Sequence, residues 1–178
     1  MLPPSQHRTQ RGFTLIELMV VVAMIGVLAG ITAAYTGERR ANLRAFSEDL
    51  VGQADEARLR AISSRRWHRI RYDDASRAMV LEQGDPVGMT MPADDAWTEL
   101  GKLSVPRNVT VYGLATTANA EDGAGVPNEG DGLDEALLFA PDGSSVGRTV
   151  YLASNDGRSL GRIMVYRGTG TAYARATW

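Results

Sequence analysis

Twenty consecutive uncharged residues, Leu18 to Gly37, mostly Val, Leu, Ile, Met and Ala, constrain this chain more than any other stretch. At ~1.5 Å rise per residue a helix of that length spans ~30 Å, enough to cross a bilayer. His7, Arg8 and Arg11 precede it with no acidic residue, a flank that keeps the N-terminus cytoplasmic and exports the chain beyond the helix. A secretory signal peptide would have a shorter apolar region and a small-residue cleavage site, whereas this run leads straight into an amphipathic helix. Glu17 stands immediately before the run. A charged acid in hydrocarbon costs roughly 2.5 to 3.5 kcal/mol even on lenient insertion scales, so its position asks for a functional reason. Gly26, Gly30 and Ala34 recur every four residues, a stripe of small side chains that lets helices approach closely in lipid.

Beyond Gly37 the sequence becomes charged but keeps helical periodicity: Leu43, Phe46, Leu50, Ala54, Ala57 and Ala61 are three or four residues apart. Arg44 with Glu48, and Glu56 with Arg60, are spaced to pair on the opposite surface. These features predict one helix from about Phe13 to about Ser64. Strand and turn signals come next. Trp67 to Tyr72 and Ala78 to Gln83 flank the polar turn at 73–77 and read as a hairpin. Residues 84–95 read as a loop, followed by Trp97 and then a strand near Val109 to Leu114. The Gly- and Asp-rich stretch from Ala118 to Glu135 reads as a long exposed loop. Ala136 to Ala140 and Arg148 to Ala153 read as a second hairpin about Pro141-Asp142-Gly143-Ser144-Ser145, with a last strand from about Arg162 to Arg167 after the Asn155-Asp156-Gly157 turn.

Composition narrows the chemistry. Acidic residues outnumber Lys plus Arg by only 21 to 19, too even a balance to specify a polyanionic or polycationic partner. Cysteine is absent, which removes disulfides, thiolate metal sites and a Cys nucleophile. The only histidines, His7 and His68, leave no multi-His zinc site, and no G-x-S-x-G surrounds Ser144 or Ser145. Gly168-Thr169-Gly170-Thr171 lacks the Lys and the following helix of a phosphate loop. Glu121, Asp122, Glu129, Asp131, Asp134 and Glu135 supply oxygens, but without the fixed spacing of an EF-hand, so a solvated loop is expected and no metal ligand or cofactor is assigned.

The string Arg11-Gly12-Phe13-Thr14-Leu15-Ile16-Glu17-Leu18, followed by the apolar helix, resembles the type IV prepilins, including the pseudopilins of type II secretion. The resemblance implies a leader cut after Gly12 by a membrane prepilin peptidase that also methylates the new N-terminus at Phe13, and an assembly role for Glu17. Cleavage would create a cationic amine about one helical turn from Glu17, within reach for pairing in the same or a neighbouring subunit. The turn Phe139 to Ser145, the Gly161-Arg162 pair opening a later strand, and Leu59-Arg60-Ala61-Ile62 at the helix end are similar to the H-type minor pseudopilins, a group that also holds FimT and FimU.

The expected fold is therefore α+β and pilin-like, a long N-terminal helix packed on an antiparallel sheet. Residues 1–12 would be leader, 13–37 the transmembrane half of the helix, 38–64 its amphipathic half, and 65–178 a β-rich head. The resemblance implies a minor subunit, not an enzyme, in the bacterial inner membrane with a periplasmic head, entering the tip or priming complex of a pseudopilus or pilus. Its partners would be the prepilin peptidase, other pilins or pseudopilins, the inner-membrane assembly platform and the membrane itself. A second reading is a DNA-binding pilin: Arg65, Arg66, Arg69 and Arg71 lie among Trp67, His68 and Tyr72, and Arg162 sits in the nearest match to the Gly-Arg-x-Arg motif of FimT proteins. Met164 replaces the second Arg of that motif, so DNA ranks below assembly. A third reading is a periplasmic binding domain on a single anchor.

Overall fold

The computed structural model describes residues 15–85, 87–116 and 126–178, and for residues 31–41 the backbone course alone. Two compact units divide the chain, Met1–Glu38 and Arg39–Trp178. Helix α1 is Leu15–Ser64. Its later half carries the predicted periodicity into the head: Leu43, Phe46, Leu50, Ala54, Ala57 and Ala61 are all buried. Leu50 alone contributes about 1.5 to 3 kcal/mol by leaving water, and the three alanines keep the helix surface low where it meets the core. On the solvent side Arg44 Nε donates to Glu48 (2.8 Å) and Arg60 Nε to Glu56 (2.8 Å). The helix ends where Arg65 turns left-handed, at φ 54°, and Gly88 N donates to the Arg65 carbonyl (2.8 Å).

Among the described residues, eight strands form two antiparallel four-stranded sheets rather than one. The first holds β1 (His68–Asp73), β2 (Ala78–Gly84), β3 (Trp97–Ser104) and β5 (Ala136–Phe139), in the order β3-β2-β1-β5. The second holds β4 (Val109–Ala115), β6 (Arg148–Ser154), β7 (Leu160–Val165) and β8 (Ala172–Arg175), in the order β4-β6-β7-β8. One core joins helix and sheets, with Ile70, Met79, Leu81, Leu137 and Phe139 from the first sheet and Val109, Val111, Val150, Leu152, Ile163 and Val165 from the second. Alternate residues of β1, β2, β5, β6 and β7 reach it, as period-2 geometry requires.

The hairpin expected at the turn 73–77 is present, with Asp73 opposite Ala78 and His68 opposite Gln83. The second expected hairpin is not. The Pro141-Asp142-Gly143 turn forms, with Gly143 N donating to Ala140 O and Ala140 N to Ser144 O, both at 2.8 Å. Its flanking strands separate after one bridge between Phe139 and Ser145: β5 pairs with β1, and β6 lies between β4 and β7. Turn chemistry fixes a local reversal but not the edge on which a strand is buried; Leu137 and Phe139 complete the first sheet's core face, and Val150 and Leu152 that of the second. The last expected strand, Arg162 to Arg167, runs instead from Leu160 to Val165. Strands β3 and β8 lacked a sequence signal because each is largely exposed at a sheet edge and shows no apolar alternation.

Among the described residues no helix is long and apolar enough to cross a membrane. The described side chains of the apolar run stop at Gly30, so the span expected from Leu18 to Gly37 is covered only in part.

Candidate functional site

Every described side chain of α1 from Leu15 to Gly30 is exposed, Leu15 by 78 % and Leu28 by 64 %. This concentrates Leu, Met, Val and Ile on an open surface, an arrangement suited to packing against other apolar helices or lipid. Glu17 is the acidic residue of the first helical turn, where the positive end of the helix dipole favours a carboxylate. A Cβ added at Gly26 or Gly30 would meet nothing within 4 Å, so both leave a shallow, open stripe. Ala34 lies where side chains are outside the described residues, and Gly12 and Phe13 lie outside them altogether.

Three of the four arginines at the helix-to-sheet junction, Arg66, Arg69 and Arg71, are tied to carboxylates. Period-2 alternation puts Arg69 and Arg71 on the outer face of β1, and the register sets Glu82 directly opposite Arg69. Arg69 Nε reaches Glu82 Oε2 at 2.5 Å and Arg71 Nε reaches Glu82 Oε1 at 2.9 Å, so one nearly buried carboxylate holds two guanidinium groups. Arg69 also lies over the Trp97 ring, 4.2 Å from its centroid. Arg66 pairs with Asp85, while Arg65 is exposed at the helix end. Glu82 was missed in the sequence, although counting outward from the turn at 73–77 pairs it with Arg69.

Arg162 is not part of this group. It lies on β7 in the other sheet, 5 % exposed and opposite Tyr151, whose phenol is pushed up by burial against the opposing charge of Arg162. Trp178 closes that face: its indole is 4.5 Å from the Tyr112 ring centroid and 5.6 Å from that of Tyr151, and Nε1 donates to the Leu152 and Gly161 carbonyls. A guanidinium so enclosed is poorly placed to meet a phosphate backbone. His68 is fully buried, with Nδ1 3.1 Å from the Arg66 carbonyl. Desolvation lowers its pKa; the bond to the Arg66 carbonyl opposes this, and the charges of Arg60 and Arg66 add to the lowering.

Of the acidic loop, residues 118–125, including Glu121 and Asp122, lie outside the described residues. Asp131 accepts from the backbone and side-chain nitrogens of Asn128 at 3.0 Å, and Glu135 pairs with Arg148. Among the described residues no group of three His, Cys, Asp or Glu could hold a metal ion.

Residues 7–33 match the family model of the prokaryotic N-terminal methylation motif. The structure matches the minor pseudopilin EpsH of the Vibrio cholerae type II secretion system with a TM-score of 0.54, at 14 % identity, over 78 % of this chain and 96 % of that one. The chain therefore has the fold of that minor pseudopilin. A second EpsH structure matches with a TM-score of 0.49 at 15 % identity, covering 75 % of this chain and 95 % of that one. The type IV minor pilin FimU of Pseudomonas aeruginosa matches with 0.46 at 17 % identity, covering 78 % and 90 %. No curated protein matches the sequence. The head thus combines a helix with two antiparallel sheets, and residues 15–33 of the matched motif lie on the same helix.

Proposed function

We propose that this pilin-like chain is a minor pilin or pseudopilin subunit that assembles through the N-terminal half of α1. The observation that carries the reading is the exposed apolar segment Leu15–Gly30 with a carboxylate in its first turn, continuous in sequence with the methylation motif. In this reading the prepilin peptidase cuts after Gly12 and methylates Phe13, the apolar helix leaves the inner membrane for a filament core, and Glu17 compensates the amine of Phe13 in its own or an adjoining subunit. Gly26, Gly30 and Ala34 permit close helix contact. The periplasmic head selects the neighbours met at the tip or priming complex of a type II secretion pseudopilus or type IV pilus, through the inner-membrane assembly platform. In this reading the role of the head is structural.

Coexpression with a prepilin peptidase tests this directly: the precursor is shortened by its first twelve residues, and Glu17→Ala leaves cleavage intact while reducing incorporation into filaments. An uncut precursor, or normal incorporation of the Glu17 variant, removes the corresponding step. DNA uptake is the weaker reading, because Arg66, Arg69 and Arg71 are already matched by carboxylates and Arg162 is buried. Gel shifts of the chain across a salt series would show no retarded band above low salt.

A further inference from the structure

Two surfaces of the head that the assembly helix leaves unused are complementary to each other. Between α1 and strands β7 and β8 runs a groove of about 810 Å3, lined by Leu43, Ser47, Gly161 and Ala174 among others. Arg158 and Arg175 stand at this groove, exposed, and neither enters any ion pair among the described residues. Arg44, also on the groove, is already matched by Glu48.

The loop between β2 and β3 has the opposite character. Val87, Met89 and Met91 are 55 %, 60 % and 49 % exposed, and Asp94 and Asp95 come after them, exposed and likewise without an ion pair among the described residues. The bond from Gly88 N to the Arg65 carbonyl fixes this loop at the C-terminal end of α1. The groove flanks Leu43 to Glu48, so the two surfaces lie roughly 25 Å apart along the helix at 1.5 Å per residue. One copy cannot fill its own groove.

We propose that the Val87–Asp95 loop of one copy docks in the groove of a second copy, with Met89 and Met91 entering it and Asp94 and Asp95 facing Arg158 and Arg175. Methionine suits the role because its unbranched side chain adapts to an irregular groove. Patch and pocket lie on different parts of the same molecule, so the contact between two copies is heterologous. The inference rests on the assembly reading and adds to it a head contact, independent of Glu17 and the apolar helix.

The chain has no cysteine, so introduced thiols report the contact alone. Full chains carrying Thr90→Cys or Ala176→Cys, purified in detergent, are mixed under mild oxidation. The mixture yields disulfide-linked dimer at least about fivefold above either variant by itself. Adding Arg158→Glu and Arg175→Glu to the Ala176→Cys chain abolishes the excess, and adding Asp94→Arg and Asp95→Arg to the Thr90→Cys chain restores it, which separates lost contact from lost folding. High salt reduces the yield, since these charges are solvent-exposed. A mixture no better linked than the single variants, or a charge swap that fails to restore linkage, overturns the proposal. A chain that is cleaved and incorporated into filaments yet gives no such linkage overturns the head contact and leaves the assembly reading standing.

Discussion

Replacing Glu82 with Gln removes the charge that holds two arginines while keeping nearly the same shape. Glu82 has 8 % of its side chain exposed, against 19 % for Arg69 and 37 % for Arg71. Removing one partner of a fully buried pair costs about 3 to 5 kcal/mol, because the other charge stays desolvated. Arg71 can turn toward water and recover part of its hydration, whereas Arg69, stacked over the Trp97 ring and opposite residue 82, cannot do so without leaving the ring. The expected loss is therefore ~2 to 4 kcal/mol. Urea unfolding of the chain in detergent, monitored by circular dichroism, would show it as a midpoint about 1 to 2 M lower at an m-value near 2 kcal/mol/M. Arg69→Met in the Glu82→Gln background should cost less than Arg69→Met in the parent, with a coupling of ~1 kcal/mol or more. The same variant should bind polyanions more tightly at low salt, since Arg69 loses its counter-charge and Arg71 keeps only its longer contact to Asp73, at 3.8 Å. A Glu82→Gln chain within about 0.5 kcal/mol of the parent would show that the pair contributes nothing and that Arg69 and Arg71 are available to outside ligands.

Three further outcomes are expected from the same geometry. His68 is buried with its pKa lowered from 6.5, so below about pH 6.5 the unfolded chain takes up a proton that the folded chain resists; stability is whole above that pH and falls as the solution is acidified. Thermal melts at pH 7.5 and 5.5 should show a larger drop for the parent than for His68→Gln, and equal drops would remove His68 from the account. Gly143 sits at φ +83°, and a Cβ there would lie 2.7 Å from Ile62 Cδ1. Gly143→Ala is expected to cost about 1 to 3 kcal/mol through backbone strain and displacement of Ile62, and an unchanged melting temperature would contradict both. Leu50→Ala, at a position with no exposed surface, should destabilise the head by about 3 to 5 kcal/mol in urea unfolding, and a loss under 1 kcal/mol would mean that the core collapses around it.

The sequence by itself determined the parts whose physics is local. Helical spacing from Leu43 to Ala61 named the buried stripe of α1, the turn at 73–77 named the first hairpin, and the run after Glu17 marked the exposed apolar segment of the helix. Each depends on neighbours within a few residues. Tertiary structure alone decided the rest. The Pro141-Asp142-Gly143 turn could not say that β5 and β6 would part into different sheets, because strand choice depends on which edge buries Leu137 and Val150. Strands β3 and β8 were hidden because an exposed edge strand is held by backbone pairing to its neighbour, which side-chain pattern does not record. The arginines that looked in sequence like a free cationic patch were taken up by Glu82 and Asp85, eleven to nineteen residues away, since opposite charges from adjacent parts of the fold settle their pairing only when register brings them within reach.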